Sequence, residues 1–457
     1  MGITDSMVSF IVDTGYEQIP REAIEFAKRA ILDCLGCAVA GSGEPSSKII
    51  TEYVNEVGAK AEAGIIASGF NSTAPEAALA NGTMAHALDY DDVAVSWIGH
   101  PSVALLPAVL ALAERGKLSG REVLEGYILG FEVGARLGAA IGFGHYTWGW
   151  HATVTLGTMA AAAASSKMLR LNAHQTAMAL GISASLAGGT RQNFGTMTKP
   201  FHAGSAARNG VMAALLAQRG FTADEAILEG PMGFCKLFSG GAEYDIDRVT
   251  HGLGDPFDIV SPGVSMKPYP CCRLTHRCID AILHLIGEHR PSPDDVDRVE
   301  CRTSDAIPQI LIHSQPKTGL EGKFSMQYCM AIAILDGEVG LRQFTDEKVL
   351  DPKAQALLKR VHFVHPQGVA PEETLSMPEA VTIRLRDGRE LSHEVLVARG
   401  DPPNPMSEQE LAAKYRDCAS FVLSPQDTQL SLDMVSHLEE LRDVTELMDL
   451  VCLRGQK

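Results

Sequence analysis

The sequence of 457 residues has few positive charges, few aromatic side chains and no long apolar run. Its 39 Lys and Arg residues stand against 56 Asp and Glu residues, which gives a formal net charge of -17 at pH 7. Because this acidic field repels polyanions, we expect neither a nucleic-acid partner nor an anionic membrane partner. Aromatic residues make up only 6% of the chain, which argues against the aromatic-lined pocket that carbocation chemistry requires.

No segment is apolar enough to predict a membrane span or a secretory signal. The longest uncharged runs, residues 152–166 and 171–190, consist mostly of Ala, Gly, Ser and Thr, which is typical of closely packed buried helices. The first basic residue is Arg21, and no cleavable apolar segment precedes it. We therefore expect a cytoplasmic protein whose 10 cysteines are reduced thiols.

The sequence also lacks the spacings of common cofactor and metal motifs. Lys199 follows a glycine-rich stretch without the GxxxxGK[ST] spacing of a nucleotide P-loop. Adjacent Cys271 and Cys272 cannot both reach one tetrahedral ion without strain, and no second Cys or His pair follows at zinc-ribbon spacing. Cys34 and Cys37 share one face of an amphipathic helix, where core packing accounts for them. We therefore expect no metal and no cofactor.

Hydrophobic periodicity predicts a mainly α fold. Helical patterns dominate the chain up to about residue 264, and strand-like alternation then appears, most clearly in AVTIRL before an Asp387-Gly388 turn. Helical pattern returns near the C-terminus behind a capping box formed by Ser407 and Glu410. The sequence thus predicts a large all-helical domain at 1–264, an inserted smaller α+β lid domain at 265–400, and C-terminal helices at 401–457 that rejoin the helical domain.

Three local predictions are specific enough to be compared directly with a structure. Thr222 and Glu225 form a capping-box pattern, which predicts a helix over Thr222–Leu228. The pattern from Thr275 to Glu288 predicts a second helix, and the alternation in VDRVECR predicts a strand.

The stretch AHALDYDDVAVSWIGHPS concentrates polar groups where one helical pattern ends and another begins. His86, Asp89, Asp91, Asp92 and His100 all lie in it. Asp89 and Asp92 can share a helix face, which would suit magnesium, but no second acidic motif accompanies them. A solvated acidic helix terminus is the simpler alternative. His100 stands directly before a proline, so we expect it at the cap of the next helix, where exposed N–H groups favour anions.

Two further stretches, GWHATVTLGT and GGTRQNFGTMTKPFHAG, each contribute a candidate. His151 is either an acid or base, or a structural histidine whose hydrogen bonds are satisfied. Lys199 lies behind a loop in which Gly188, Gly189 and Gly195 allow the backbone to approach a ligand. A solvated loop lysine is the alternative for Lys199.

The stretch KPYPCCRLTHRCIDA is best explained as part of a cationic pocket. Lys267, Arg273 and His276 lie close together where the chain passes between the two predicted domains. Domain junctions are favoured positions for binding pockets. In an acidic protein, such a cluster predicts that the ligand is a small anion.

Taken in order, these motifs resemble the MmgE/PrpD family, which includes 2-methylcitrate dehydratases, cis-aconitate decarboxylases and iminodisuccinate epimerases. The matching pieces are DCLGCAVAG, AHALDYDD followed by HPS, GWHATVTLGT, TKPFHAGSAARNG, KPYPCCRLTHRCIDA and FSMQY. The resemblance runs nearly end to end. It implies a homodimer, each subunit having a large helical domain, a smaller α+β lid and a metal-free pocket between them.

The resemblance also implies which residues form the pocket. The family's pocket residues correspond here to Asp89, His100, His151, Lys199, His276 and Tyr328. Together with the cationic pocket, the candidate catalytic residues are Asp89, His100, His151, Lys199 and His276, and the candidate substrate-binding residues are Lys267, Arg273 and Tyr328. We expect Lys199 and Arg273 to bind carboxylates, since a carbanion beside a carboxylate needs preorganised cationic donors when no metal is present. His151 and His276 are expected to transfer protons.

The expected activity is that of a cofactor-independent lyase acting on a small di- or tricarboxylate. Removal of water in the manner of a 2-methylcitrate dehydratase is favoured, because Val93 stands where we expect Thr in decarboxylase-like members. Decarboxylation of cis-aconitate and epimerisation of iminodisuccinate are alternatives in the same pocket. A non-catalytic helical dimer that binds an organic acid is the alternative from another class.

Overall fold

The computed structural model describes residues 2–58, 60–305, 307–365 and 377–454. The chain forms two compact units: Met1–Met266 with Ser407–Lys457, and Lys267–Met406. It is mainly α-helical, with a smaller unit of mixed α and β structure inserted into a helical one, which confirms the predicted fold class.

The first unit is built from helices as far as residue 266. These helices are α1 (Ile3–Asp13), α2 (Arg21–Gly41), α3 (Pro45–Val57), α4 (Ala74–His86), α5 (Ser102–Gly116), α6 (Gly120–Ile141), α7 (Gly144–Trp148), α8 (Ala152–Met168), α9 (Ala173–Leu186), α10 (Thr198–Gln218) and α11 (Phe234–Phe238). Two very short strands, β1 (Ala63–Gly64) and β2 (Asn71–Ser72), pair antiparallel beside them.

Small residues let the central helices α4, α5, α8 and α10 pack with their backbones close together. A Cβ atom placed on Gly204 of α10 would lie 2.1 Å from the carbonyl oxygen of Leu79 and 2.5 Å from Oγ1 of Thr83, both on α4. Helix α8 is buried along nearly its whole length and is rich in alanine. The C-terminus of α4 and the N-termini of α5, α8 and α10 carry the candidate residues of this unit, so the packing of these four helices determines how those residues meet.

The predicted helix over Thr222–Leu228 is wrong, because this segment forms turns. The side chain of Asp224 accepts a hydrogen bond from the backbone N–H of Ala226 at 2.8 Å. Such a local side-chain bond offers the backbone an alternative to the helix.

The second unit contains a four-stranded sheet in the order β4-β3-β5-β6. Its strands are β3 (Val296–Arg302), β4 (Val361–Val364), β5 (Glu379–Leu385) and β6 (Glu390–Val395), and its helices are α12 (His276–His289), α13 (Gly319–Gly322), α14 (Met326–Asp336), α15 (Asp346–Val349) and α16 (Pro352–Leu357). The strand predicted from VDRVECR is therefore confirmed, as is the helix predicted from Thr275. Gly388 turns the β5–β6 hairpin with a φ of 90°, a conformation that glycine adopts without strain.

Alternation along the sheet buries one face of it. Val299, Cys301, Val381 and Ile383 are all fully buried, and they join an apolar core that also contains residues of α12 and α14. Strands β3 and β4 are parallel, whereas β3–β5 and β5–β6 are antiparallel.

The chain then returns to the first unit through α17 (Glu408–Ala419), α18 (Pro425–Ser436) and α19 (Thr445–Val451). Ser407 and Glu410 form the capping box that the sequence indicates at the start of α17. Lys414 of α17 lies 2.6 Å from Oδ1 of Asp33 on α2 and donates to the carbonyl oxygen of Tyr90 at 2.7 Å. This buried lysine therefore anchors the loop that follows α4. No described helix is long and apolar enough to cross a membrane.

The close contact at Gly204 predicts a large effect of a single methyl group. Gly204→Ala forces α10 away from the backbone of α4, so we expect the free energy of unfolding to fall by about 1–3 kcal/mol, the usual range for overpacking. Gly287→Ala is the matched control, since this exposed helical glycine has nothing within 4 Å of its added Cβ. Calorimetry should show the loss only for Gly204→Ala, and an unchanged Gly204→Ala protein would contradict the packing.

Candidate active site

The loop after α4 brings the acidic residues of AHALDYDD together with a histidine and a lysine. His86 is the last residue of α4, and the chain then turns through Asp89, whose φ of 51° lies in the left-handed region. Aspartate is one of the few residues other than glycine that adopts this conformation readily. Lys199 lies in the first turn of α10.

Five side chains of this region form a closed ring of polar contacts. Oδ1 of Asp91 lies 2.9 Å from Nδ1 of His86, and Nε2 of His86 lies 3.0 Å from Nζ of Lys199. Nζ of Lys199 lies 2.8 Å from Oδ1 of Asp89, which is 3.8 Å from Nε2 of His100. Nδ1 of His100 lies 2.8 Å from Oδ2 of Asp91, which closes the ring. The structure therefore brings the predicted residues Asp89, His100 and Lys199 together.

The ring fixes which nitrogen of His86 carries a proton. The carboxylate of Asp91 can only accept, so Nδ1 of His86 must donate to it. In the neutral imidazole, Nε2 is then a lone pair that accepts a hydrogen bond from the ammonium group of Lys199. His86 and Asp91 were not among the residues chosen from the sequence. Their motif was recognised, but spacing alone gives no sign of which acid pairs with which histidine.

Burial and charge keep His86 neutral. Its pKa falls from the ordinary 6.5 to about 4, chiefly because the side chain is fully buried, although the charge of Asp91 acts in the opposite direction. Burial would raise the pKa of Asp91, but the two histidines on either side, His86 and His100, lower it well below its usual value. Asp91 is therefore an anion and His86 a neutral acceptor at neutral pH.

The third acid of the motif plays a supporting part. Asp92 accepts a hydrogen bond from the backbone N–H of Ser102 at 3.2 Å, and its backbone carbonyl lies 2.9 Å from Nδ1 of His100. Burial, with the charge of Asp91 nearby, raises the pKa of Asp92 well above its usual value. The helix cap is Pro101 and not His100, because helix α5 begins at Ser102. The first helical N–H thus binds Asp92, and His100 precedes the cap.

His151 lies next to the ring and pairs with a second histidine. It is the N-cap residue of α8, and its imidazole centroid is 6.1 Å from that of His86. Nδ1 of His151 lies 2.9 Å from Nδ1 of His202, and both side chains are buried. Sequence reasoning missed His202, although it stands in the recognised TKPFH motif three residues after Lys199.

The His151–His202 contact requires complementary tautomers when both rings are neutral. One Nδ1 must donate and the other must accept, so the proton on Nδ1 of His202 decides whether Nε2 of His151 is a donor or a lone pair. Burial and the nearby Lys199 lower the pKa of His151 well below 6.5. Burial and the neighbouring His86 lower the pKa of His202 to about 4. Both rings are therefore neutral at pH 7.

The side chains of the ring include imidazole and carboxylate groups, which are common metal ligands. Donor atoms of His86, Asp89, Asp91 and His100 all lie within 4.8 Å of one another. Imidazole and carboxylate ligands suit several divalent ions. Lys199 already presents its ammonium group to His86 and Asp89, so it supplies positive charge where an ion would otherwise do so. The absence of a metal requirement remains a prediction.

The other predicted residues belong to the second unit. His276 begins α12 with 1% of its surface exposed, and its Nε2 lies 3.3 Å from the carbonyl oxygen of Cys271. Its ring packs edge-on against Tyr269, with centroids 5.2 Å apart. Sγ of Cys271 lies 3.1 Å from Oγ1 of Thr275. This buried histidine thus lies among a thiol, a phenol and a hydroxyl group.

Two of the predicted substrate-binding residues already have partners inside the second unit. Arg273 forms a two-pronged ion pair with Asp401, in which Nε lies 2.9 Å from Oδ1. The hydroxyl group of Tyr328 donates to the backbone carbonyl of Gln343. Lys267 is buried, with 1% of its surface exposed. Substrate contacts for these residues stay predictions, and the first two would require an exchange of partner.

Comparison with known proteins identifies the family to which the chain belongs. Residues 5–247 match the MmgE/PrpD N-terminal domain, and residues 269–440 match the MmgE/PrpD C-terminal domain. The chain therefore belongs to the MmgE/PrpD family, which confirms the resemblance seen in the sequence.

Its curated relatives are enzymes. The chain is 29% identical to a cis-aconitate decarboxylase of Aspergillus terreus over 98% of this chain and 96% of the relative. It is 28% identical to the cis-aconitate decarboxylase of Mus musculus over 98% of this chain and 93% of the relative. It is also 26% identical to a mitochondrial 2-methylcitrate dehydratase of Yarrowia lipolytica, over 84% of this chain and 78% of the relative.

The buried neutral histidines predict a loss of stability in acid. An unfolded imidazole takes a proton below about pH 6.5, whereas burial lowers the pKa of His86, His145 and His202 to about 4 in the folded chain. Between these values the unfolded state binds more protons, so stability must fall as the pH is lowered through this window. Thermal denaturation midpoints measured down to about pH 4.5 should fall accordingly.

Two variants separate this effect from general acid denaturation. His145→Gln should flatten the dependence on pH, because it removes one buried imidazole of lowered pKa that lies outside the ring and bonds to Phe238 and Thr155. The exposed His437→Gln should leave the dependence unchanged. Midpoints that stay constant across the window would show that the histidines are not buried as neutral groups.

Proposed function

We propose that the protein is a lyase that makes or quenches a carbanion beside a carboxylate of a small tricarboxylate. The observation that carries the proposal is the ammonium group of Lys199, which is held 3.0 Å from neutral His86 and 2.8 Å from Asp89 in a buried site. A charge fixed in this way stabilises a developing anion without reorganisation at the moment of reaction.

Decarboxylation of a cis-aconitate-like substrate is the first candidate. The relatives named as cis-aconitate decarboxylases match 98% of the chain, whereas the 2-methylcitrate dehydratase of Yarrowia lipolytica matches 84%. In this reaction the bond from the methylene carbon to its carboxylate breaks and CO2 leaves. The electron pair moves into a new double bond, and a proton reaches the former vinylic carbon. The site must therefore hold an allylic carbanion and deliver one proton.

Lys199 and His151 fit these two needs. The ammonium group of Lys199 is both a positive charge for the anion and an acid that can give up a proton, with His86 and Asp89 fixing its position. His151 is neutral at pH 7, so it acts as a hydrogen-bond partner or a base until substrate carboxylates raise its proton affinity. Asp89 and His100 are proposed to orient Lys199 within the ring. His276 is proposed as a second proton-transfer residue.

Dehydration of a 2-methylcitrate-like substrate is the second candidate. Val93, in the loop behind the acidic motif, is the observation that favours it, because this side chain has no hydroxyl group to offer a substrate. Neutral His151 is suited to remove the proton beside the carboxylate, and Lys199 is suited to protonate the departing hydroxyl group. Epimerisation of iminodisuccinate, a binding role without catalysis, a homodimeric state and a cytoplasmic location remain predictions.

Proton exchange tests the proposal directly. Incubation with cis-aconitate or 2-methylcitrate in deuterated water, followed by NMR, should show deuterium incorporation together with CO2 release or water loss. The activity should survive EDTA, since Lys199 supplies the charge. Lys199→Met should lower kcat by at least about 100-fold, the usual scale for a lost electrostatic stabiliser.

The exposed Lys48→Met is the matched control and should keep full activity. Saturable binding of both acids without proton exchange would contradict the lyase and support a non-catalytic protein that binds organic acids. Activity lost on chelation and restored by a divalent ion would assign the ring to a metal instead.

A second prediction concerns the tautomer that His202 imposes on His151. His202→Asn retains an amide that can donate to or accept from Nδ1 of His151, whereas His202→Phe retains shape without a hydrogen bond. We expect His202→Phe to lower kcat by about 10–100-fold at little change in KM, as for other orienting partners. His202→Asn should recover most of the loss. Nitrogen-15 shifts of the His151 ring should report a changed tautomer mixture in His202→Phe, and equal loss in both variants would contradict the role.

A further inference from the structure

A cationic side chain outside the ring lies on the glycine-rich loop that faces His151. Arg191 and His151 lie on two backbone segments that pair through an isolated bridge. The backbone N–H of Arg191 donates to the carbonyl of Gly149 at 2.9 Å, and that of His151 donates to the carbonyl of Gly189 at 3.0 Å. These reciprocal bonds fix the position of Arg191 relative to His151.

The guanidinium group of Arg191 is oriented by Tyr146. Nη1 donates to the backbone carbonyl of Tyr146 at 2.7 Å, and the group lies over the tyrosine ring at 3.8 Å from its centroid. Nε is buried and has no hydrogen-bond partner in the described part of the chain. The arginine is thus held in place by the face of Tyr146 and one carbonyl group, and its Nε–H remains able to donate a hydrogen bond.

Arg191 differs from Lys199 and Arg273 in having no carboxylate partner among the described residues. Lys199 is paired with Asp89, and Arg273 is paired with Asp401 in the second unit. Among the described residues, no Asp or Glu oxygen lies within 4.0 Å of a nitrogen of Arg191. A partly buried charge without a counterion is costly, and a planar guanidinium matches the two oxygens of a carboxylate. The arrangement is suited to an anion that comes from outside the chain.

One aromatic ring links Arg191 to the candidate site. The centroid of Phe194 lies 5.9 Å from Cζ of Arg191 and 5.6 Å from Nζ of Lys199. The same ring stands edge-on to His151, with centroids 4.9 Å apart. Arg191, Lys199 and His151 therefore all lie beside the ring of Phe194.

We propose that Arg191 forms a subsite for a substrate carboxylate remote from the reacting carbon, and that it selects tricarboxylates over dicarboxylates. The inference rests on the proposed function for the choice of ligand. In this arrangement Lys199 stabilises the charge that develops near the reacting carbon, and the guanidinium group of Arg191 binds a carboxylate that stays intact.

Binding of inert acids tests the subsite without requiring turnover. Propane-1,2,3-tricarboxylate and pentanedioate are titrated calorimetrically into the full-length protein. Arg191→Met should weaken binding of the tricarboxylate by about 30-fold or more, the scale for truncating one partner of a desolvated charge pair. It should change pentanedioate binding much less. Arg191→Lys keeps the charge without the fork and should fall between the wild type and Arg191→Met.

Arg219→Met is the matched control, since this exposed arginine at the end of α10 donates to the backbone carbonyl of Leu215 in the same helix. If Arg191→Met does not fold, as judged by its melting profile, Arg191→Lys provides the comparison. Equal weakening of both acids, unchanged tricarboxylate binding, or no binding of either acid to the wild type overturns the subsite.

The outcomes also distinguish the subsite from the proposed function. If Arg191→Met selectively loses tricarboxylate binding and the wild type shows no proton exchange, the subsite is supported and the lyase is contradicted. If Arg191→Met still exchanges protons and its KM for cis-aconitate is unchanged, the lyase is supported and the subsite is contradicted. With both intact, KM should rise about 30-fold while kcat changes little.

Discussion

The ammonium group of Lys199 is the charge on which the first unit's polar cluster depends. It lies between the carboxylate of Asp89 and the lone pair of His86, which Asp91 keeps in one tautomer. Taking such charges out of water is expensive unless each is paired and hydrogen-bonded. The ring from Asp91 to His100 satisfies this condition, and it holds the lysine nitrogen at a fixed point in a buried site.

Helix packing places this ring. His86 ends α4, Lys199 lies in the first turn of α10 and His151 caps α8, so small errors in the separation of these helices would open the ring. The approach of Gly204 to the backbone of Leu79 sets the distance between α4 and α10. At the loop after α4, Lys414 contributes from the C-terminal helices by holding the carbonyl of Tyr90 against Asp33. The C-terminal helices therefore help to position the loop that carries the ring.

The sequence could predict elements whose signals are local, and it could not predict which polar groups meet. The β5–β6 hairpin follows from alternation and Gly388, and the start of α17 follows from Ser407 and Glu410. The Thr222 capping-box pattern failed because the side chain of Asp224 accepts a hydrogen bond from the backbone N–H of Ala226. Within the site, Asp89 and Lys199 were recognisable from their motifs, but the pairing of His202 with His151 and the contact of Arg191 with Tyr146 link distant segments, which no spacing rule contains.

The neutral histidines and the charged residues together explain how such a site would respond to an anion. Burial and the positive charge of Lys199 lower the pKa of His151, so its imidazole alone is a poor source of protons at neutral pH. Carboxylates brought close to the same imidazole act in the opposite direction, because an opposite charge favours the protonated form. A polycarboxylate would therefore raise the proton affinity of an imidazole that it contacts, which is what the proposed proton transfer requires. A neutral ligand of the same shape would lack this effect, which makes the charge of the substrate part of the chemistry as well as of its recognition.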